Sequence, residues 1–290
     1  MDLDPVFPPE LEREIFEHAA TLYPNVILNL LVVAQRVFAW VRPMLYRTIM
    51  VKPGAPPLAA FMRIIDAMPA SSSFFRDSVH NLFVHQTPWL AAELQTILAT
   101  CPGITNLAMM STTPAVLPLL ASKRLTRLAL SLAQLFGSGP GGLLPHLAHP
   151  IFAHTTHLGL FDYVQNEAAW GAFARLPALT HLCLHSFVHR AQLRSVLTKC
   201  PRLQVLVNMH TNTEPEWGLA DICGRLKLGD DPRFVLIALD QSVNAYARDW
   251  ETGRRGEKDF WFLADAFVEK KRRGEIKPVS RCWICEHDGI

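Results

Sequence analysis

An α/β solenoid, with parallel strands lining a concave wall and helices outside, is the fold class this sequence predicts. Three observations carry that reading. First, one short apolar phrase recurs seven times between Val79 and Leu239: an apolar residue, two free positions, a second apolar residue, one free position and a third. It reads Val79-His-Asn-Leu82-Phe-Val84, Ile104-Thr-Asn-Leu107-Ala-Met109 and Leu125-Thr-Arg-Leu128-Ala-Leu130. The later copies are Thr155-Thr-His-Leu158-Gly-Leu160, Leu179-Thr-His-Leu182-Cys-Leu184, Leu203-Gln-Val-Leu206-Val-Asn208 and Phe234-Val-Leu-Ile237-Ala-Leu239. Second, the central apolar residues fall at 82, 107, 128, 158, 182, 206 and 237, a period in the twenties stretched by insertions. Third, flanking slots refill in step. Pro102, Pro177, Pro201 and Pro232 stand five residues ahead of the centre, and Cys101, Phe152, Leu176 and Cys200 stand one residue earlier.

Repetition at that period marks a leucine-rich-repeat solenoid, whose units each supply one strand and one return helix and share a core with their neighbours. Segments 89–100, 115–122, 168–176 and 191–199 carry alanine and leucine at helical spacing and are the expected return helices. Gly137-Ser-Gly-Pro-Gly-Gly142 lengthens one link. No Lys-Ser/Thr pair follows it, so it reads as a rim loop and not as a phosphate cradle.

Both ends leave the repeat, which divides the chain into a helical unit at 1–48, the solenoid at 49–240 and a capping segment at 241–290. Phe7-Pro8-Pro9-Glu10 opens a helix with Leu11, Ile15 and His18/Ala19 on one face. Pro9 suits its first turn, and Glu10, Glu12 and Glu14 favour the positive end of its dipole. A second helix, from Val26 to about Trp40, is apolar nearly all round and is expected to be buried on several sides. Tyr46-Arg-Thr-Ile49-Met-Val51 then repeats the strand spacing. At the other end, 250–258 reads as a polar turn region. Asp259 caps a helix running to Arg273, with Phe260, Leu263, Ala264, Phe267 and Val268 as its apolar stripe and Gly274 as its stop. That stripe is expected to close the last repeat.

Pro8-Pro9-Glu10-Leu11, Ile15-Phe16, Val33-x-x-x-Val37-x-x-Trp40 and Leu45-Tyr46-Arg47 together resemble the F-box, and more closely the F-box-like proteins abundant in fungi. The likeness covers about a sixth of the chain, and repeats behind an F-box match a common layout of that family. Phe7 stands where leucine is usual, and the link at 23–27 is longer and less acidic than the pattern. The resemblance implies a non-catalytic substrate receptor of a cullin-RING ubiquitin ligase. Pro8, Leu11, Ile15, Val33, Val37 and Trp40 would supply the apolar set for the ligase adaptor, and the solenoid would hold a substrate protein of unknown identity. A helical pair that only caps the first repeat, on a binding scaffold with a degenerate F-box and no ubiquitin role, is the alternative.

The substrate-facing expectation comes from strand alternation. Positions just before the central leucine and just after the phrase point away from the core onto the inner wall. They place His85, Arg127, His157, Phe161, His181 and His185 there as the expected partner-binding face. Imidazoles beside a phenyl ring suit a peptide or an acidic group, with pH-dependent protonation. No serine-hydrolase elbow, zinc-protease helix or recognisable carboxylate pair accompanies them, so no catalysis is expected.

Composition sets the remaining bounds. Half of the 290 residues are hydrophobic and the net charge is +2, which excludes a disordered chain and gives no electrostatic reason to expect nucleic acid. Met1-Asp-Leu-Asp-Pro5 lacks the basic start of a signal peptide, and 26–34 is too short to span a bilayer. Cys101, Cys200 and Cys183 fall in buried repeat slots, as expected of a cytosolic or nuclear protein. Cys282-x-x-Cys285 has metal-ligand spacing but no second pair, leaving Cys223 and His210 as distant candidates, so neither metal nor cofactor is expected. Lys270-Lys271-Arg272-Arg273, weighed as a site for nucleic acid, acidic lipid or an importin, is more simply a cationic last helical turn.

Overall fold

The computed structural model describes residues 7–51, 57–68, 73–85, 91–137, 146–162, 167–185, 188–210, 217–239 and 243–290. The first six residues, 89–90 at the head of one expected return helix, and 138–142 of the glycine-rich link lie outside the described residues. Eight strands form a single parallel sheet in chain order. They are β1 (Thr48–Val51), β2 (Asn81–Val84), β3 (Asn106–Met109), β4 (Arg127–Leu130), β5 (His157–Leu160), β6 (His181–Leu184), β7 (Val205–His210) and β8 (Phe234–Ala238).

Sequential order with every neighbour parallel is the topology of a solenoid. Ile49, Leu82, Leu107, Leu128, Leu158, Leu182 and Leu206 line up across adjacent strands, as the recurring phrase predicts. The seventh copy departs. Phe234, not Ile237, pairs with Leu206. Phe234 and Leu236 join the shared core, while Val235 and Ile237 face the other way. Pro232 satisfied the expected offset by coincidence, and a three-residue slip turns the alternation over.

Thirteen α-helices stand among the described residues. Helices α1 (Pro9–Leu22), α2 (Ile27–Leu30) and α3 (Gln35–Val41) precede the sheet, and α4 (Pro57–Ala67) and α5 (Phe74–Ser78) follow β1. The return helices are α6 (Ala91–Thr100), α7 (Leu117–Ala121), α8 (Leu132–Phe136), α9 (Glu167–Ala172), α10 (Arg190–Lys199) and α11 (Trp217–Leu226). Leu94, Ile97 and Leu98 of α6, Leu193, Val196 and Leu197 of α10, and Leu219 and Ile222 of α11 pack with the central leucines in one continuous core.

Cations tie three of the turns to the one before. The Lys123 ammonium, buried, donates to the carbonyls of Leu98 and Cys101 at 2.7 and 2.8 Å, where α6 ends. Arg202 donates to Leu176 O, and Arg233 to Leu197 O at 2.8 Å where α10 ends. A positive group among the unpaired carbonyls of a helix end satisfies both dipole and hydrogen bonding. Burial still pushes the Lys123 amine down to about 8, against the opposing effect of the nearby Cys101.

The C-terminal helices α12 (Val243–Arg254) and α13 (Phe260–Arg272) do not stack after the last repeat. They lie across the sheet on the side away from α6–α11. Tyr246, Ala247, Trp250, Phe260, Trp261, Ala264, Phe267 and Val268 pack there with Phe83, Ala108, Ala129, Cys183, Val207 and Val235. The expected polar turn at 250–258 is partly helix, because α12 continues to Arg254. The edge of β8 is closed by the tail, where Trp283 forms a parallel bridge with Leu236 and Leu236 N donates to Cys282 O. Replacing Leu182 by alanine, a fully buried side chain in the shared core, is expected to cost about 2–5 kcal/mol. Urea denaturation measures this, and a loss comparable to an exposed-site substitution would contradict the layered core.

Candidate functional site

Two surfaces were singled out by the sequence: the inner wall and the N-terminal helices. On the inner wall, His157 and His181 stand on neighbouring strands and stack at 4.0 Å between ring centroids, 6° from parallel. Trp261 stands beside the stack with its plane perpendicular to both rings, at 5.2 and 5.7 Å between centroids. Each ring's Nδ1 lies against the hydroxyl of the preceding threonine, Thr156 at 2.9 Å and Thr180 at 2.7 Å. His181 Nε2 meets Asp265 Oδ1 of α13 at 2.9 Å.

Below this stack, His185 sits among Phe161 (4.5 Å), Tyr246 (4.8 Å) and the Cys183 thiol (3.5 Å). Arg127 donates to Asp259 at 3.4 Å. Arg254 approaches the same carboxylate at 3.0 Å, and Asp259 also accepts from Phe262 N as the cap of α13. His85 follows β2 and is half-buried. Asp162, the carboxylate beside Phe161, accepts from Ser131 Oγ and from the backbone N–H groups of Leu132 and Ala133, which fixes the start of α8.

The six residues expected to hold a partner therefore lie along a wall that the chain's own helices cover. Arg127, His157, His181 and His185 are engaged by residues of that cover, and Phe161 is in edge contact with Tyr246. Burial pushes the His157 and His185 imidazoles down to about 2 and about 3, and the charges of His181, Arg127 and Arg254 add to the effect at His157. Those shifts hold both rings neutral, which removes two of the four imidazoles that recognition of an acidic group would use. Sequence reasoning missed Tyr246, Trp250, Trp261 and Asp265. The available signal was the inner wall itself, since Phe83, Ala108, Ala129, Gly159, Cys183 and Val207 form a strip too apolar to face water.

The N-terminal unit has a small core of Ala20, Ile27, Val37 and Val41, with Phe16, Leu30, Leu31, Trp40 and Met44 against it. Arg36 clamps α3 to α1 through both oxygens of Glu12, at 2.8 Å each. That ion pair holds the Glu12 carboxyl below its ordinary range. The expected continuous helix from Val26 breaks after Leu30 and restarts at Gln35, with Ala34 extended at φ −161°. Val32 and Val33, β-branched, sit in the break. The break leaves Val32 84% and Leu28 67% exposed, so this stretch is not buried on several sides. Of the expected adaptor set, Pro8, Leu11, Ile15 and Val33 are exposed, whereas Val37 is fully buried and Trp40 packs inward. At the junction with the repeats, Tyr46 packs edge-on against Phe74 and Phe75.

The cationic run on α13 is spent within the molecule. Lys270 reaches the Asp288 and Gly289 carbonyls, Lys271 donates to Arg281 O at 2.7 Å, Arg272 to Gln204 O, and Arg273 pairs with Glu269 and Glu275. Among the described residues no group of three or more His, Cys, Asp or Glu side chains is placed to hold a metal ion. No described helix is long and apolar enough to cross a membrane. No protein-family model matches the chain, and no curated protein matches it either.

Two measurements check this description. The His157 and His185 ring protons are expected to keep their NMR shifts between pH 7.5 and 5. Folded pKa values depressed below the ordinary 6.5 mean that the unfolded chain takes up these protons first, so their contribution to stability is lost as pH falls from about 6.5. Asp249, pushed up to about 7 chiefly by burial, opposes one of the two rings over that range. Gly253 of α12 passes so close to the cap that a Cβ there would lie 2.6 Å from Asp259 Cβ. Gly253→Ala is expected to destabilise by about 1–3 kcal/mol; an unchanged melting temperature would place α12 elsewhere.

Proposed function

We propose that this chain is a non-catalytic interaction receptor of leucine-rich-repeat type, with an F-box-like N-terminal unit that docks the adaptor of a cullin-RING ubiquitin ligase. The observation that carries the reading is the concentration of exposed apolar side chains in the N-terminal unit. Ten of the twelve exposed large hydrophobic residues among those described fall between Phe7 and Leu45. A folded unit with its own core has no internal use for Leu11, Ile15, Leu28, Val32 and Val33 at its surface, and exposed apolar side chains gathered in one small unit suit a protein-binding surface. The quoted F-box-like residues supply the kind of partner. The strand spacing and the aligned leucines support the repeat type, and the reducing habit of the buried cysteines supports a cytosolic or nuclear setting.

Such a receptor performs no bond chemistry; it raises the concentration of a bound protein beside the ligase. With the inner wall filled by α12 and α13, the surface that recruits the substrate in this closed form lies elsewhere on the molecule. The second reading, a repeat scaffold with a degenerate F-box, draws on the inward turn of Val37 and Trp40 and on Tyr46, which welds the unit to the first repeat as a cap. That weld makes deletion of residues 1–47 a poor test, since it would strip Phe74 and Phe75 of their partner. Leu11→Glu and Val33→Glu, both at exposed positions, are the better variants. Each is expected to weaken adaptor binding in a pull-down or calorimetric titration at least about tenfold, the worth of one buried apolar side chain, with the melting temperature unchanged. Failure of the intact chain to bind the adaptor at all would leave the scaffold reading.

A further inference from the structure

Cys223 of α11 and Cys282 of the tail stand with their sulfurs 2.7 Å apart, Cys282 donating its S–H toward Cys223. Neither has a role in the adaptor-docking reading. We propose that this pair is a peroxide-responsive dithiol whose disulfide fastens the helical cover onto the inner wall.

Access distinguishes the two sulfurs. Cys223 borders a cavity of about 400 Å³ between α11 and the tail, walled also by Gly224, Lys227, Asp230, Ser280 and Trp283. Cys282 lies behind it, fully buried. A small oxidant therefore meets Cys223 first. The hydrogen bond from Cys282 lowers the Cys223 thiol below its ordinary range against the opposing effect of burial, and the Lys271 ammonium adds to the lowering. The same hydrogen bond together with burial pushes Cys282 up, so it keeps its proton. A thiol eased toward its thiolate, beside a cavity and backed by a protonated resolving thiol, is the arrangement a thiol oxidation needs.

The atoms balance as follows. The Cys223 thiolate attacks one oxygen of hydrogen peroxide, the O–O bond breaks, and the departing hydroxide takes a proton to leave as water. The Cys282 sulfur then attacks the Cys223 sulfenic sulfur. An S–S bond forms, and the sulfenic oxygen leaves with the Cys282 proton as a second water. Two thiols are oxidised and one peroxide is reduced. A small-molecule thiol reverses the bond by exchange.

Position gives the bond its consequence. The cysteines are 59 residues apart, and the chain between them contains β8, α12 and α13. A disulfide therefore closes a loop around the entire cover. The tail is already seated for it. Cys223 donates to Ser280 O at 3.4 Å, and a Cβ on Gly229 would lie 2.8 Å from Ser280 Cα, an approach only glycine permits. Cys285 sits apart, accepting from Arg281 at 2.9 Å.

The test uses the full chain, reduced, then exposed to hydrogen peroxide, with remaining thiols trapped by iodoacetamide and mapped by mass spectrometry. The expected product has lost about two daltons through one disulfide, 223 to 282, and dithiothreitol restores it. Cys223→Ser and Cys282→Ala each abolish the loss, while Cys285→Ser leaves it intact. Cys183, buried on the inner wall beneath the cover, is the reporter of closure, and its alkylation is expected to slow about tenfold in the oxidised wild type, as a loop-closing bond suppresses opening. Alkylatable Cys223 and Cys282 after oxidation, or a bond joining either to Cys285, would overturn the pair. Unchanged Cys183 labelling with the 223–282 bond formed would overturn the lock.

Discussion

A parallel sheet that is apolar on both faces has to be covered twice, and the rest of this structure follows from that requirement. The leucines at 82, 107, 128, 158, 182 and 206 turn toward the return helices. Phe83, Ala108, Ala129, Cys183 and Val207 turn the other way. Helices supplied by each repeat meet the first demand. The second is met once, by α12 and α13, which reach back over the strands and bury the aromatic set of Tyr246, Trp250, Phe260 and Trp261. The inner wall of a repeat protein is ordinarily where a partner binds. In this chain the first occupant is its own C-terminus.

Polar groups on that wall are consistent with an interior and not with a waiting binding site. The stacked pair His157 and His181 has threonine hydroxyls on one side and Asp265 on the other. Arg127 and Arg254 share Asp259. Gly253 lets α12 approach that same carboxylate. Such a network favours one register of the cover, because the ion pairs and hydrogen bonds at Asp259 and Asp265 form only when α13 sits at this place on the wall. The cations at 123, 202 and 233 do the same work on the outer side, each holding the carbonyl end of an earlier turn. Lys270 and Lys271 extend it to the tail.

The N-terminal unit presents the opposite balance. Its core is small, its helices are short, and the break at Val32 and Val33 leaves apolar side chains outside. Surface of that kind is costly for a chain on its own, which is why it carries the docking proposal. Val37 and Trp40 illustrate how spacing alone misleads there: a helix apolar all round does not say which of its residues face inward once it breaks in two.

The sequence by itself determined the strand ladder, six of its seven phrase registers, four of the six return helices and the cap at Asp259. These follow from local rules, a two-residue alternation repeated at a fixed period and side chains that end helices. The seventh register escaped because Pro232 and Ile237-Ala-Leu239 satisfy the phrase three residues late, and only pairing with β7 separates the two alignments. Placement of the C-terminal helices was also beyond local rules. The stripe Phe260, Ala264, Phe267 and Val268 states that α13 must bury a face, and either the end of the solenoid or its inner wall would do. Tertiary structure decided between them: the stripe packs on the apolar strip of the wall, with Phe83, Ala108, Ala129, Cys183, Val207 and Val235, and takes that strip out of water. It decided likewise that Cys223 and Cys282 meet.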